Sequence, residues 1–308
     1  MTASKAKLDA IITSISSVLI GKEQEVRIAL TCLLARGHLL IEDLPGLGKT
    51  TLVNAMARVL GLDFNRIQFT SDLLPADIVG VSVYEKADGA FRFLPGPVFC
   101  QMLLADEINR TTPKTQSALL EAMAEGQVTV EGRTRDLPEP FFVVATQNPI
   151  QQSGTFPLPE SQLDRFLMRV SLGYADQVSE KMILTGGDPR ARLKELEPLL
   201  TIRELLALQD EVDLVSAAEP VIDYLQRLIQ FTRTSGVFQF GLSTRAALAI
   251  LQSAKAIALL GGRTFVIPED ILAGFPAVAD HRLPGSGRGH DSGSRVLVDK
   301  VLDTVDII

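Results

Sequence analysis

The chain has 308 residues, 46% of them hydrophobic and 22% charged, so it is long enough to form one large domain or two smaller ones. Its net charge of −7 and its pI near 5.1 argue against a general electrostatic attraction to nucleic acid or to anionic lipid. No uncharged apolar run approaches the ~18 residues that span a bilayer, and the N-terminal stretch does not resemble a signal peptide, so we expect a cytoplasmic protein.

The two cysteines, Cys32 and Cys100, both lie in apolar stretches of the sequence. We expect them to be buried, reduced thiols, as is usual in a cytosolic protein. Together with the three histidines they show no metal-ligand spacing, so the sequence predicts no metal centre built from cysteine and histidine.

Short apolar strands alternate with helical patterns through the first half of the chain. The predicted elements are, in order, helices at 7–19 and 22–36, a strand at 38–43, a helix at 48–61, strands at 64–70 and within 98–107, a helix at 113–126, a hairpin at 127–137, and strands at 141–148 and 166–172. Buried strands separated by helices indicate a mainly parallel sheet with helices on both faces. The fold class that we predict is therefore α/β.

The pattern changes near Gly173, after which the segments that we predict are helical. These helices lie at 176–186, 201–210, 219–234, 243–260, 268–281 and 294–306, and a Gly/Ser-rich loop lies at 283–294. We therefore predict an α/β domain over residues 1–173 and a smaller, all-helical domain over residues 174–308.

Residues 43–50, with the sequence DLPGLGKT, form what we call the phosphate cradle, because they connect a predicted strand to a predicted helix. Such a loop aims backbone N–H groups and the positive end of the helix dipole at an anion. Gly46 and Gly48 permit close approach of the backbone. Lys49 can reach the β- and γ-phosphates, and the Thr50 hydroxyl can hold Mg²⁺. The residues that we expect to bind nucleotide here are Pro45, Gly46, Leu47, Gly48, Lys49, Thr50 and Thr51.

One position departs from the general phosphate-loop pattern G-x-x-x-x-G-K-[ST], because Asp43 stands where the first glycine is expected. Asp is enriched among the residues that adopt positive φ, so we interpret Asp43 as a tolerated turn residue after the strand. Its carboxylate would be unfavourable near phosphates only if it pointed into the loop. We therefore expect the departure to leave the site functional.

Two further predicted strands bring polar residues towards the cradle. Residues 102–105 are apolar and lead into Asp106, which is placed for the Mg²⁺ shell, and Glu107, which is placed as general base for the attacking water. Asn148 ends another strand, where its amide can hydrogen-bond the attacking water or the γ-phosphate. Hydrolases need such an acidic pair, so the sequence predicts a nucleotide hydrolase.

The cradle, the acidic pair, the block from Phe91 to Phe166 and the later segment LSTRAALAI resemble MoxR-type ATPases of the AAA+ superfamily. The resemblance implies a P-loop core with a mainly parallel sheet flanked by helices, followed by a smaller, all-helical lid domain. It also implies that ATP or ADP is the nucleotide and that Mg²⁺ accompanies it.

The resemblance implies a role for each site residue. These roles are Walker A for Lys49 and Thr50, Walker B for Asp106 and Glu107, sensor 1 for Asn148, an arginine finger for Arg165 and sensor 2 for Arg245. It also places the segment from Ile20 to Gln24, with Gly21 and Lys22, near the adenine. Arg110 is a rival for an intersubunit or structural role, and the sequence leaves open which of the arginines act within a subunit and which on a neighbour.

An arginine that acts on a neighbour's nucleotide requires head-to-tail contacts, and repeated head-to-tail contacts close into a ring. The resemblance implies that this homo-oligomeric ring is a hexamer. It also implies a helix-2 insert at about 77–99 and a pre-sensor hairpin at about 126–140. Both segments mix acidic and basic residues, for example Arg92 near Asp88, whereas a DNA-tracking channel concentrates positive charge. We therefore expect a protein partner in preference to nucleic acid.

The predicted function is that of a chaperone-like ATP hydrolase that remodels or activates protein partners, with metal or cofactor insertion or complex assembly as expected roles. The resemblance points to partners that contain a von Willebrand factor A domain. Two alternatives stay open, namely the motor subunit of a metal chelatase and a DNA-binding AAA+ motor. A nucleotide-switched scaffold that scarcely hydrolyses ATP fits less well, because the Asp106–Glu107 pair is intact.

Overall fold

A computed structural model describes residues 2–86, 89–148, 155–186, 189–283 and 294–307. Residues 284–293 of the predicted Gly/Ser-rich loop at 283–294 lie outside the described residues. Asp88 also lies outside them. The helices are α1 (Thr2–Val18), α2 (Glu23–Leu34), α3 (Lys49–Val59), α4 (Pro75–Val79), α5 (Pro113–Glu125), α6 (Glu160–Leu163), α7 (Gln177–Thr185), α8 (Pro189–Glu195), α9 (Ile202–Asp213), α10 (Glu219–Thr234), α11 (Thr244–Leu260), α12 (Pro268–Ala279) and α13 (Ser294–Thr304). The strands are β1 (Leu39–Glu42), β2 (Phe64–Gln68), β3 (Gly80–Glu85), β4 (Ala90–Pro95), β5 (Met102–Asp106), β6 (Gln127–Val130), β7 (Arg133–Asp136), β8 (Phe142–Gln147) and β9 (Met168–Val170).

Five strands form a parallel sheet in the order β2-β5-β8-β1-β9, which confirms the predicted α/β class. β5 and β8 are buried along their whole length, as apolar strands covered on both faces must be. The carboxyl ends of these strands lie at one edge of the sheet, where Asp106 ends β5 and Asn148 follows β8. In sheets of this kind, ligands bind beyond that edge.

Alternate residues of the central strands enter two hydrophobic clusters on opposite sides of the sheet. Leu104 and Val144 belong to the larger cluster, which also contains residues of α1, α2 and α3. Leu103 and Val143 belong to the smaller cluster, which contains residues of α5. The larger cluster continues into α9, α11 and α12, so the helical second half packs against the N-terminal helices. The predicted boundary between residues 173 and 174 stays a prediction.

Two antiparallel hairpins project from the core within the two predicted insertions. β3 pairs with β4 inside the predicted helix-2 insert, and β6 pairs with β7 inside the predicted pre-sensor hairpin. The second turn has positive φ at both Glu131 and Gly132, as a two-residue type I′ turn requires. The guanidinium of Arg135 lies 3.8 Å from the ring centroid of Phe93, so a cation–π contact links the hairpins.

Both cysteines are buried and free, and burial raises the pKa of the Cys100 thiol to about 12. Burial also raises the pKa of the Cys32 thiol well above its usual range. Thiols held in their neutral form by burial are poor nucleophiles, which fits a packing role for both. Within the described ranges, no helix is long and apolar enough to cross a bilayer.

Candidate nucleotide site

The phosphate cradle lies between the end of β1 and the first turn of α3. Gly48 has φ +91° and precedes the helix, and among the described residues no side chain caps this helix end. Gly46 has φ +87°, and a Cβ added there would meet no described atom within 4 Å. In the part of the chain that the structure describes, no side chain takes up the first N–H groups of α3, and free N–H groups at a helix N-terminus bind phosphate.

Lys49, the first residue of α3, is buried beside the cradle. Its ammonium donates a hydrogen bond of 2.6 Å to the main-chain oxygen of Asp43. Burial holds the pKa of Lys49 below its ordinary value, and the negative charges of Asp43, Asp106 and Glu107 oppose that shift. The predicted cradle lysine and the predicted acidic pair thus lie within electrostatic reach of each other. Thr50 follows in the same helical turn and is partly exposed.

Asp106 and Glu107 are held by one residue of the neighbouring strand, Thr146. Its hydroxyl donates to Asp106 Oδ1 over 2.6 Å and accepts the backbone N–H of Glu107 over 2.8 Å. Glu107 has a left-handed backbone with φ +58°, which is costly for a residue with a side chain. The Thr146 contact compensates part of this cost. Sequence reasoning missed Thr146, because its role depends on β8 lying beside β5.

The carboxylate of Glu107 is surrounded by three donors. Asn148 Nδ2 donates to its Oε1 over 3.0 Å, so the structure brings the predicted sensor residue onto the predicted base. Gln68 Nε2 donates to Oε2 over 2.9 Å, and Arg110 Nε lies 3.0 Å from the same oxygen. Arg110 therefore has a partner within its own chain. The arrangement orients the Glu107 carboxylate.

The edge strand β2 contributes two polar residues that the sequence did not single out. Arg66 Nη2 donates to Asp106 Oδ2 over 2.7 Å and to Gln68 Oε1 over 3.1 Å. Arg66 and Gln68 are two positions apart, so they lie on the same face of the strand. The register that pairs Gln68 with Asp106 brings both to the acidic pair. The spacing of Arg66 and Gln68 was visible in the sequence, but the position of β2 beside β5 was not.

Arg245 contacts Asp164, and Arg165 follows Asp164 in the chain. Arg245 Nη1 lies 3.3 Å from Asp164 Oδ2, and its side chain is 75% exposed. Arg165 is exposed as well and donates to the main-chain oxygen of Leu120 over 2.7 Å. Arg282, whose side chain is 7% exposed, donates to Asp164 Oδ1 over 2.7 Å and fixes this carboxylate. No contact recorded for the described residues joins Arg165 or Arg245 to the cradle or to the acidic pair.

The predicted adenine segment packs against the linker that follows β9. Lys22 is buried, and its ammonium donates to the main-chain oxygens of Leu172 and, over 2.9 Å, Tyr174. Gly21 has φ +75°, and a Cβ there would lie 2.3 Å from Ser179 Oγ in the first turn of α7. In this structure the Lys22 side chain is therefore engaged by the linker, and its predicted contact with nucleotide stays a prediction.

Our interpretation of Asp43 as a residue tolerated through positive φ was wrong. The described non-glycine residues with left-handed φ are Arg36, Glu107 and Glu131. Asp43 Oδ2 instead accepts the N–H groups of Leu172 over 2.6 Å and Gly173 over 2.8 Å, and the hydroxyl of Ser171 over 3.2 Å. A glycine would leave these donors without a partner. The carboxylate thus points towards the linker and not into the cradle.

Comparisons with known proteins show the family to which the chain belongs. A model of the ATPase family associated with various cellular activities (AAA) matches residues 38–168, and a model of the AAA lid domain matches residues 230–299. The chaperone MoxR1 of Mycobacterium tuberculosis is 39% identical to this chain, over 97% of this chain and 81% of that protein. The chain belongs to the MoxR family of AAA+ ATPases. The first matched range contains the cradle, the acidic pair and Arg165, and the second contains Arg245.

Two further similarities extend over most of this MoxR-family chain. The YeaC protein of Bacillus subtilis is 47% identical to it, over 87% of this chain and 84% of that protein. A crystal structure of a candidate ATPase from Cytophaga hutchinsonii superposes with a TM-score of 0.88 at 34% identity, covering 99% of this chain and 96% of that one. The AAA+ fold with a helical lid therefore holds for the chain as a whole.

Proposed function

We propose that this MoxR-family protein binds ATP with Mg²⁺, hydrolyses it, and uses the hydrolysis to remodel or activate a protein partner. The observation that supports the proposal best is the convergence of the open N-terminus of α3, buried Lys49 and the Asp106–Glu107 pair at one edge of the sheet. A phosphate-binding helix end alone would fit many anion sites. An oriented general base beside it is what hydrolysis needs.

The residues present fit a nucleotide and its metal. The open N–H groups after Gly46 and Gly48 suit phosphate oxygens. Thr50 would supply a hydroxyl and Asp106 a carboxylate to Mg²⁺, and a ligand set with one carboxylate beside phosphate oxygens is typical of that ion. Bound Mg²⁺ would neutralise charge on the phosphate oxygens. Asp106 accepts a hydrogen bond from half-exposed Arg66, which has room to turn aside when the carboxylate binds the metal.

The chain's own residues then have separate tasks. Lys49 exchanges its hydrogen bond to the Asp43 oxygen for one to a phosphate oxygen. Glu107 accepts a proton from the attacking water. Asn148 and Gln68, which both donate to Glu107, hold its carboxylate in place. Two of these residues come from strands on either side of β5, so the parallel sheet itself aligns the base.

We assign Arg165 as an arginine finger and Arg245 as sensor 2, and we propose that they act across a subunit interface. Both are exposed, and among the described residues neither has a recorded contact with the acidic pair of its own chain. A cation supplied to the nucleotide of a neighbour makes each site incomplete in the monomer, so the subunits assemble head to tail into a ring. From the family resemblance we propose that this ring is a hexamer.

A protein partner fits the exposed surface of the β3–β4 hairpin better than nucleic acid does. Phe91 is 72% exposed and stacks edge-on with Tyr84, and Arg92 pairs with Glu85 instead of standing free. Exposed aromatic residues beside neutralised charges are typical of protein interfaces. A partner with a von Willebrand factor A domain, and a role in metal or cofactor insertion or complex assembly, belong to the proposal as its most specific parts.

The proposal is tested by ATP binding and turnover of the purified chain with Mg²⁺, compared with Lys49→Ala. We expect Lys49→Ala to lose binding and turnover, whereas Lys300→Ala, a change at an exposed lysine of α13, should leave both unchanged. Wild-type protein that neither binds nor hydrolyses ATP would contradict the proposal. Salt-sensitive, tight binding to DNA would favour the motor alternative, and porphyrin-dependent turnover with companion subunits would favour the chelatase alternative.

A further inference from the structure

The linker between β9 and α7 is held from two sides by opposite charges. On one side the Asp43 carboxylate accepts the N–H groups of Leu172 and Gly173. On the other side the Lys22 ammonium donates to the main-chain oxygens of Leu172 and Tyr174. Asp43 and Lys22 are both buried, so the hydrogen bonds to the linker satisfy part of the need of each charged group for partners. We call this arrangement the linker clamp.

The linker clamp is also connected to the cradle lysine. The main-chain oxygen of Asp43 accepts the Lys49 ammonium over 2.6 Å, while the Asp43 side chain holds the linker. The other carboxylate oxygen accepts the N–H of Leu44 over 3.0 Å, which stiffens the start of the cradle. A phosphate group that attracts Lys49 therefore removes a partner from the same residue that fixes the linker.

Helix α7, which follows the linker, is connected to it in such a way that a shift of the linker would also shift the helix. Asp176 caps α7 by accepting the N–H groups of Val178 and Ser179 over 2.9 Å each, so the helix continues rigidly from the linker. Ser179 is the buried residue of α7, and it packs against Gly21 next to Lys22. Val178 is 71% exposed and Met182 is 53% exposed. Helix α7 therefore buries little apolar surface, and the contact of Ser179 with Gly21 and the linker itself hold it in place.

We propose that Asp43 is a positioning residue that couples occupancy of the phosphate cradle to the position of the linker and of α7. The proposal rests on the proposed function, since it takes ATP as the ligand that attracts Lys49. Asp43 reaches across 129 positions of the sequence to a second structural element, where a turn residue would bond only its neighbours. Asp43, which stands where the general pattern has glycine, would then connect the bound nucleotide to the linker and to the helices that follow it.

The chain contains no tryptophan, so one introduced tryptophan reports on the linker alone. Tyr174 is 75% exposed and lies within the linker clamp, which makes Tyr174→Trp a suitable reporter. We expect its fluorescence to change when Mg·ATP binds, and we expect Asp43→Asn or Lys22→Met in the same background to abolish most of that change. Asp223→Asn, at an exposed position of α10, is the matched control and should keep the full change.

Two further readouts separate positioning from mere stability. Calorimetry should show that Asp43→Asn still binds ATP, while its turnover falls by about tenfold or more, the scale of one charge-assisted hydrogen bond. Hydrogen exchange without nucleotide should be faster at Leu172 and Gly173 in Asp43→Asn than in Asp223→Asn, at equal thermal stability. Asn in place of Asp keeps the size of the side chain, so the folded chain is retained for these measurements.

The outcomes distinguish this proposal from the proposed function. Two results would overturn the linker clamp: a full nucleotide-dependent fluorescence change in folded Asp43→Asn, or unaltered hydrogen exchange at Leu172 and Gly173 in that variant. Neither result would contradict ATP turnover by the wild-type chain. Absence of ATP binding by the Tyr174→Trp parent and by the wild-type chain would overturn the proposed function, and the coupling with it. Calorimetric measurement of ATP binding by the Tyr174→Trp parent detects this second outcome directly.

Discussion

The Asp43 carboxylate lies 2.6 Å from the backbone nitrogen of Leu172, although the two residues are 129 positions apart in the sequence. Asp43 belongs to the phosphate cradle, and Leu172 belongs to the segment that leads into the helical second half. The contact therefore joins the phosphate cradle to the segment that precedes the helical second half. It also explains why an acidic residue stands where the general pattern has glycine.

Thr146→Val should lower Mg²⁺-dependent ATP turnover by about 10–100-fold, the usual effect of losing a hydrogen-bond partner behind a metal ligand. The valine keeps the shape of the buried side chain but loses the hydroxyl that orients Asp106 and accepts the Glu107 N–H. Steady-state turnover at several Mg²⁺ concentrations measures the effect. Thr146→Ser retains the hydroxyl and should stay near wild type, and equal losses in both variants would refute this role for the hydroxyl.

Gly21→Ala should destabilise the chain by about 1–3 kcal/mol more than Gly132→Ala does. The two glycines have nearly the same φ, +75° and +74°, so the backbone cost of a side chain is matched. They differ in space, because a Cβ at Gly21 meets Ser179 Oγ at 2.3 Å, whereas one at Gly132 meets no described atom within 4 Å. Urea unfolding of both variants measures the difference. Equal free energies of unfolding would contradict this prediction, because they would mean that α7 moves at no cost to make room for the added Cβ.

His38 should make the folded chain acid-sensitive below neutral pH. Its ring is buried between the N–H of Val143, which donates to Nδ1, and the main-chain oxygen of Met123, and burial lowers its pKa to about 4. The unfolded chain binds this proton near pH 6.5, so it holds more protons than the folded chain between pH 6.5 and 4. The stability that neutral His38 contributes is thus present above pH 6.5 and is lost as the pH falls towards 4.

The loss from His38 amounts to about 2 kcal/mol between pH 7.5 and pH 5. Urea unfolding at both pH values measures the total fall in the free energy of unfolding, which includes the contribution of His38. In His38→Gln we expect the fall to be smaller by that contribution. NMR titration of the His38 ring in the wild-type protein provides a check that does not depend on the variant. A ring that titrates at its ordinary value would disprove the assignment.

Arg165→Ala should lower turnover by about 10³–10⁵-fold if Arg165 is an arginine finger. Lys49→Ala subunits lack a cradle lysine but still carry Arg165. When the two variants are co-expressed, some interfaces of the mixed rings combine an intact Lys49 from one subunit with an intact Arg165 from its neighbour. Random assembly in equal amounts gives this combination at about one interface in four, so we expect roughly a quarter of wild-type turnover. Mixed rings that stay as inactive as either parent would place Arg165 in its own subunit's site.

Much of the site could be predicted from local patterns. The apolar runs of β1, β5 and β8 indicate buried strands, and the carboxyl ends of parallel strands meet at one edge. This reasoning places the cradle, Asp106, Glu107 and Asn148 at the same end of the sheet, and the structure brings them together. Each of these residues directly follows or ends an element whose pattern is unmistakable.

What could not be predicted depends on which elements become neighbours. Arg66 and Gln68 reach the acidic pair only because β2 pairs with β5, and no sequence period encodes that order. Asp43 was interpreted through its own φ, whereas its partners lie beyond β9. Arg245 meets Asp164 through packing of the helical half against the α/β half. These contacts are long-range, and single-sequence patterns carry local information only.

Glu107→Gln tests the central claim most directly, because it changes one atom group at the proposed general base and keeps the donors around it. We predict that the variant binds ATP like wild type by calorimetry and that its turnover falls by about 100-fold or more. Glu121→Gln, at an exposed position of α5, should match wild type in both measurements. Turnover of Glu107→Gln equal to wild type, with ATP bound, would contradict the account.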